Sequence, residues 1–192
     1  NCRPATCHTK FSLNYDMLDA RPGDLLSGQC RGLIIRPRTH LQRESYDTQI
    51  VGECDVIAWP LNRFYNVGDP SCVDVDWNAV IVQEKLDGTM IVLYHDNLQG
   101  RWCVATRAVP EADVKMSMHD MTFAELFWKA LAETINVPTE IFLKSLKKNV
   151  THVFELTSPI NQVVVPYTDY RVTLLACRDI ETGFEIPVAS CG

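Results

Sequence analysis

No stretch of the 192-residue chain is apolar for long enough to cross a bilayer as a helix, which takes about 20 consecutive apolar residues. No membrane partner is expected. The opening NCRPATCHTK has no apolar core of the kind a secretory signal needs, and it begins without Met, so the start reads as trimmed or processed. Basic charge is also scarce: 18 Lys and Arg against 24 Asp and Glu give a net charge of −6. Proteins that grip long duplex nucleic acid nonspecifically are usually basic, so that class is disfavoured. A local basic groove around phosphates stays open. Low-complexity segments, internal repeats and CxxC pairs are all missing.

Cysteine is not scarce. The eight are Cys2, Cys7, Cys30, Cys54, Cys72, Cys103, Cys177 and Cys191. An even count invites a disulfide framework. Cys30, Cys103 and Cys177, however, sit in apolar or strand-like runs, and no secretory signal precedes them. The expectation is therefore reduced, mostly buried thiols in an intracellular, cytoplasmic protein. Cys2, Cys7 and His8 fit no common zinc spacing.

At 46% hydrophobic the chain can bury a sizeable core, and disorder is excluded. GLIIRP (32–37), DVIAWP (55–60), AVIVQEK (79–85), TMIVLYH (89–95) and RWCVATRA (101–108) read as strands. The turn clusters RPGD, NVGDPS, LDG and DNLQG separate them. Thr122 with Glu125 three residues on is a capping-box signal. Phe123, Leu126, Phe127, Ala130 and Leu131 then recur at helical spacing, and Pro138 opens a second helix, PTEIFLKSLKKN. Strands return in HVFELT (152–157), NQVVVP (161–166) and VTLLAC (172–177). The predicted class is α+β, with antiparallel sheets and an inserted helical pair. No composition shift divides the chain, so residues 1–192 read as one domain.

EKLDGT (84–89) lies between two apolar runs. Asp-Gly in that setting is a good hairpin signal, which would make Lys85 a solvated strand residue. The chemical reading is different. A lysine amine, once deprotonated by desolvation or nearby cations, can attack the α-phosphate of a nucleoside triphosphate. Gly88 would let backbone approach a nucleotide closely. Lys-x-Asp-Gly alone is too short to decide.

Four other segments bear on the choice: QCRGLII (29–35), PLNRFYN (60–66), ATRA (105–108) and VFELTSPINQVVV (153–165). EKLDGT resembles the first signature of the covalent nucleotidyltransferases, and with it these segments stand in the order of one branch of them. The set, covering about residues 25–180, resembles the RNA ligase 1 family of the T-even phages. That resemblance implies an ATP-grasp-like nucleotidyltransferase fold and an ATP-dependent RNA ligase using Mg²⁺ or Mn²⁺, acting on RNA ends such as those of cleaved tRNA. It casts Lys85 as the nucleophile, with Asp87 assisting the later transfers. It gives nucleotide-binding roles to Arg31, Arg63, Glu84, Gly88, Arg107 and Glu155, and a share in the metal shell to Glu155.

Residue chemistry supports some of these roles independently. Arginine's planar fork suits phosphate, and a glutamate in the apolar strand HVFELT is costly unless paired or bound. Arg63 stands where the family has lysine, and Ala108-Val109 replaces its Gly-Ser. Phe64 and Tyr65 read as core rather than as nucleotide contacts, and Thr106 could touch sugar or phosphate. Asn161 is a turn former first. Lys144, Lys147 and Lys148 suit either RNA phosphates or a helix C-terminus.

The family's late Glu-Gly and Lys-x-Lys strands have no convincing match after Glu155. The expectation is an N-terminal portion of a longer ligase, or a shortened relative with weakened activity. The alternatives are a DNA ligase or capping guanylyltransferase, a non-catalytic module that binds nucleotides or RNA ends, and a plain antiparallel-sheet domain with a chance KLDG.

Overall fold

The structure, a computed structural model, describes residues 9–16, 24–38, 42–44, 47–49, 53–116 and 119–191. Cys2, Cys7 and His8 lie outside them. Two antiparallel sheets form the body. The smaller is β1 (Phe11–Asn14), β2 (Arg31–Pro37) and β5 (Cys54–Ala58), with β2 in the middle. The larger has the order β10-β9-β8-β6-β7. Its strands are β6 (Thr89–Asp96), β7 (Arg101–Thr106), β8 (Val150–Thr157), β9 (Arg171–Asp179) and β10 (Glu185–Ile186). A two-stranded ribbon, β3 (Gln42–Glu44) with β4 (Asp47–Gln49), stands apart, and a short helix α1 (Leu25–Gln29) precedes β2.

Between β7 and β8 the chain makes α2 (Phe123–Thr134) and α3 (Thr139–Ser145). The first has the expected capping box: Thr122 Oγ1 accepts from Glu125 N at 3.2 Å, and the Glu125 carboxylate accepts from Thr122 N at 2.7 Å. Two orphan amides of the first turn are thereby satisfied. Leu126, Phe127, Ala130 and Leu131 turn to one face.

β6 explains the layering. Alternate residues of a strand point to opposite faces. Ile91 and Leu93 pack with the α2 side chains, Phe154 and Leu156. Val92 and Tyr94 pack with Ile34 of β2 and Ala58 of β5. The large sheet is thus covered on one face by helices and on the other by the small sheet, and a strand buried on both faces reads as a continuous apolar run.

Two expected strands are absent. Residues 79–88 and 158–170 form no regular secondary structure. Both edges of β6 are taken, by β7 and β8, so the apolar run before it has no ladder to join. Ile81 is 84% and Val82 90% exposed. Asp87-Gly88 is consequently not a hairpin turn.

The expectation of reduced thiols also fails at one pair. Cys177 of β9 and Cys191 of the closing 3-10 turn are joined in a disulfide, because that turn folds back against β9. Cys30, Cys54, Cys72 and Cys103 are free. No helix among the described residues is long and apolar enough to cross a membrane.

Candidate active site

β2 begins at the bulge where Asn14 faces Arg31. Gly32 follows with φ +82°, and a Cβ there would stand 3.2 Å from the Arg107 carbonyl oxygen. Only a residue without a side chain admits this conformation and this approach cheaply. The start of β2 therefore lies directly against the end of β7, and Arg31 and Arg107 come together. Asn14 fastens the join: its Nδ2 donates to the Arg107 carbonyl at 3.0 Å, and its Oδ1 accepts from Arg107 Nε at 3.1 Å. Ser12 Oγ donates to the same carbonyl at 2.7 Å.

Arg63 joins them from the loop after β5, where its amide donates to the Gly28 carbonyl at 2.7 Å. The three guanidiniums rest on aromatic faces. Arg31 lies 4.6 Å from the ring centre of Phe64. Arg63 lies 4.6 Å from Tyr15 and 5.0 Å from Tyr65, and Arg107 lies 4.8 Å from Tyr15. Stacking holds arginine without spending its charge. None of the three forms a salt bridge among the described residues. One Arg31 nitrogen, Nη1, is buried without a hydrogen-bond partner. Burial pushes the Arg31 guanidinium down from its ordinary value, and Arg107 adds to this, while Tyr15 and Glu155 act in the opposite direction.

Glu155 on β8 is half-buried, and its charge and that of Arg31 act on each other. Its Oε1 accepts from Gly88 N at 2.9 Å. Burial raises its pKa, against the Gly88 amide, Lys85 and Arg31, all of which favour the charged form. A Cβ on Gly88 would collide with the Leu156 carbonyl oxygen, so Gly88 is needed for close approach and not for a turn. Asp87 Oδ2 accepts from Val164 N at 2.6 Å and Val165 N at 2.7 Å. Those two amides hold its carboxyl below the usual range, and Lys85 adds to them.

Lys85 is exposed, and its charge acts on both Glu155 and Asp87. The fold thus gathers Arg31, Arg63, Arg107, Lys85, Asp87, Gly88 and Glu155 from five separate stretches of chain. Glu84 is not drawn in; it is exposed, and its side chain makes no hydrogen bond among the described residues. Thr106 is occupied locally, its Oγ1 accepting from Val109 N at 3.1 Å. Phe64, 65% exposed, is a platform and not core. Sequence reasoning missed Tyr15 and Asn14, whose roles depend on the β1–β2 register. Lys144 stands in the last turn of α3.

A cavity of about 550 Å³ lies elsewhere, lined by Arg36, Arg38, Asp55, His95 and apolar neighbours. It is near the ends of β2 and β6 remote from Arg31 and Thr89, roughly 20 Å away at about 3.3 Å per strand residue. The arginine cluster is an open, half-buried surface. Among the described residues no three His, Cys, Asp or Glu side chains converge on one point. A cation here would rely on Glu155 and the oxygens of a bound phosphate, an arrangement that suits Mg²⁺.

Arginines stacked on aromatic rings and free of salt bridges among the described residues, with a half-buried carboxylate in electrostatic reach of Arg31, form a surface whose chemistry suits anions. The chain belongs to the RNA ligase family of the T4 RNA ligase 1 type, whose profile matches residues 29–187. It is 30% identical, across 93% of its length, to a provisionally named bifunctional polynucleotide kinase/RNA ligase of Autographa californica nuclear polyhedrosis virus. It is 32% identical, across 51% of its length, to an RNA ligase of Rhodothermus phage RM378. A provisionally named RNA ligase of Thermovibrio ammonificans is 28% identical across 67% of the chain. These alignments cover 25%, 23% and 31% of the respective relatives.

Proposed function

We propose that this chain is the nucleotidyltransferase part of an ATP-dependent RNA ligase. Lys85 Nζ, having given up a proton, attacks the α-phosphorus of ATP. The nitrogen–phosphorus bond forms as the bond to the bridging oxygen breaks, and pyrophosphate leaves. The AMP passes to an RNA 5′-phosphate, and a 3′-hydroxyl then displaces it to seal the strand. Cleaved tRNA is a substrate of the required chemistry.

Arg31, Arg63 and Arg107 hold the triphosphate, Arg31 by its planar fork and its unsatisfied Nη1. Phosphoryl transfer depends mainly on positioning and on neutralising charge on the oxygens, which three stacked arginines can supply. Glu155 uses one oxygen on Gly88; the other would help hold Mg²⁺ or Mn²⁺ beside the phosphates. Such a cation would spread the charge that develops on the transferring group. Asp87 lies two residues from the nucleophile, its carboxylate ionised by backbone donors.

The observation that carries this reading is the arginine cluster with its unpaired buried donor, within electrostatic reach of the Glu155 that also senses Lys85. The test is intact mass after incubation with ATP and Mg²⁺. An AMP adduct is expected on the wild-type protein and not on Lys85→Ala; an adduct on both sinks the assignment. The exposure of Lys85 favours one second reading, a module that binds nucleotide without covalent chemistry. ATP binding that needs Arg31, with no adduct on either protein, would select it.

A further inference from the structure

Lys85 lies in a stretch with no strand partner, so its place must be set by something other than a sheet. We propose that residues 158–167 form a strap that fixes the nucleophile loop, with Tyr167 and Asn161 as positioning residues for Lys85. This rests on the assignment of Lys85 as the reacting amine.

The strap grips residues 87–89 at three successive points. The Asp87 amide donates to Tyr167 Oη at 3.1 Å. The Asp87 carboxylate accepts from the Val164 and Val165 amides. Asn161 Nδ2 donates to Thr89 Oγ1 at 2.8 Å. Its own ends are secured. Ser158 is fully buried, and its Oγ accepts from Asn161 N at 3.1 Å. Ile160 on one side and Tyr170 on the other pack against the main core. Between them Val163, Val164 and Val165 are exposed, so the strap's middle serves the loop through its backbone and not through side-chain burial. Two residues span about 7 Å; fixing Asp87 therefore confines where Lys85 Nζ can reach, whereas the arginines that hold the phosphates are fixed by other elements.

The division predicts a kinetic signature. Tyr167→Phe removes the acceptor for the Asp87 amide, and Asn161→Ala removes the donor to Thr89. A hydrogen bond of ordinary strength corresponds to roughly three- to tenfold. Each variant should lower the rate constant of Lys85 adenylylation by about that factor and leave the KM for ATP within about twofold. Thr89→Ser, which keeps the accepting hydroxyl, should behave as wild type. Hydrogen exchange of the 85–89 amides should quicken by a similar factor in Tyr167→Phe and Asn161→Ala, with the β8 and β9 amides unchanged.

Exchange at 85–89 that does not change in either variant overturns the strap, whatever the protein's chemistry. Faster exchange with an unchanged adenylylation rate overturns the positioning role. Failure of the underlying reading shows separately and earlier, as the absence of any AMP adduct on the wild-type protein.

Discussion

At the scale of single residues, arginines laid on aromatic faces differ from arginines in ion pairs. Arg38, held by Asp55 and Glu53, has spent its charge; Arg31, on Phe64 with a buried nitrogen unsatisfied, has not. Arg31→Lys keeps the charge and loses the fork. ATP affinity by calorimetry should fall roughly tenfold, as expected for loss of a bidentate phosphate contact, with the melting temperature unchanged. Gly32→Ala tests the neighbouring join. At φ +82° and 3.2 Å from the Arg107 carbonyl, a methyl should cost on the order of 1–3 kcal/mol in denaturant unfolding and weaken ATP binding as well. The family resemblance singled out Arg31, and a glutamate in an apolar strand made Glu155 conspicuous on chemistry as well. Tyr15 could not be found that way, because a tyrosine one residue past a short strand carries no local mark; its use arises from the register that sets Asn14 opposite Arg31.

At the scale of elements, the helical pair and most strands were legible because their signals are local. The capping box is the plainest case. Thr122→Ala should cost about 1 kcal/mol by removing one N-terminal acceptor, read as a lower urea midpoint with ATP binding intact. Residues 79–85 and 161–166 misled for the opposite reason. β-branched runs favour a pleated surface, but a strand exists only where a neighbour offers its edge, and pairing is not written in the run itself. The same fact turns Asp87-Gly88 from a supposed hairpin into a loop fixed by Glu155 on one side and by the Val164–Val165 amides on the other.

At the scale of the whole molecule, the candidate site and a buried charge network around Asp96 occupy opposite ends of the same strands. β6 runs from Thr89, beside Gly88, to Asp96, which is fully buried. Asp96 accepts from Arg36 at 2.5 Å and from Lys10 at 3.0 Å, and Lys10 also pairs with Glu111. This ties β2 and the residue preceding β1 to the end of β6 and to the segment after β7. Asp96→Ala would leave Arg36 and Lys10 buried without their shared anion, a change that typically costs 3–5 kcal/mol. Burial pushes the Asp96 carboxyl up, but its hydrogen bonds from Arg36 and Lys10 prevail and hold it at about 2, below its ordinary 3.8. The native state thus binds this proton less readily than the unfolded chain. Its contribution is complete above about pH 4 and is lost as pH falls through about 2.

A second buried group acts in a milder pH range, where it can be measured apart from the first. His152 on β8 is 1% exposed, edge-on to Trp102 and opposite Cys177 in the sheet. Burial lowers its pKa from 6.5 to about 4. Between those values the unfolded chain takes up a proton that the native protein refuses, so stability falls as pH drops from 6.5 towards 4 and falls no further below that on this account. The shift corresponds to about 3 kcal/mol, at 1.36 kcal/mol per pKa unit. Urea midpoints should therefore decline between pH 7 and pH 4.5, and much less steeply in His152→Gln, which carries no titrating ring. Asp96, still ionised in that window, predicts no such slope. An equal decline in both proteins would mean that His152 is protonated in the native state, and that the interface between β8 and β9 is wetter than its burial implies.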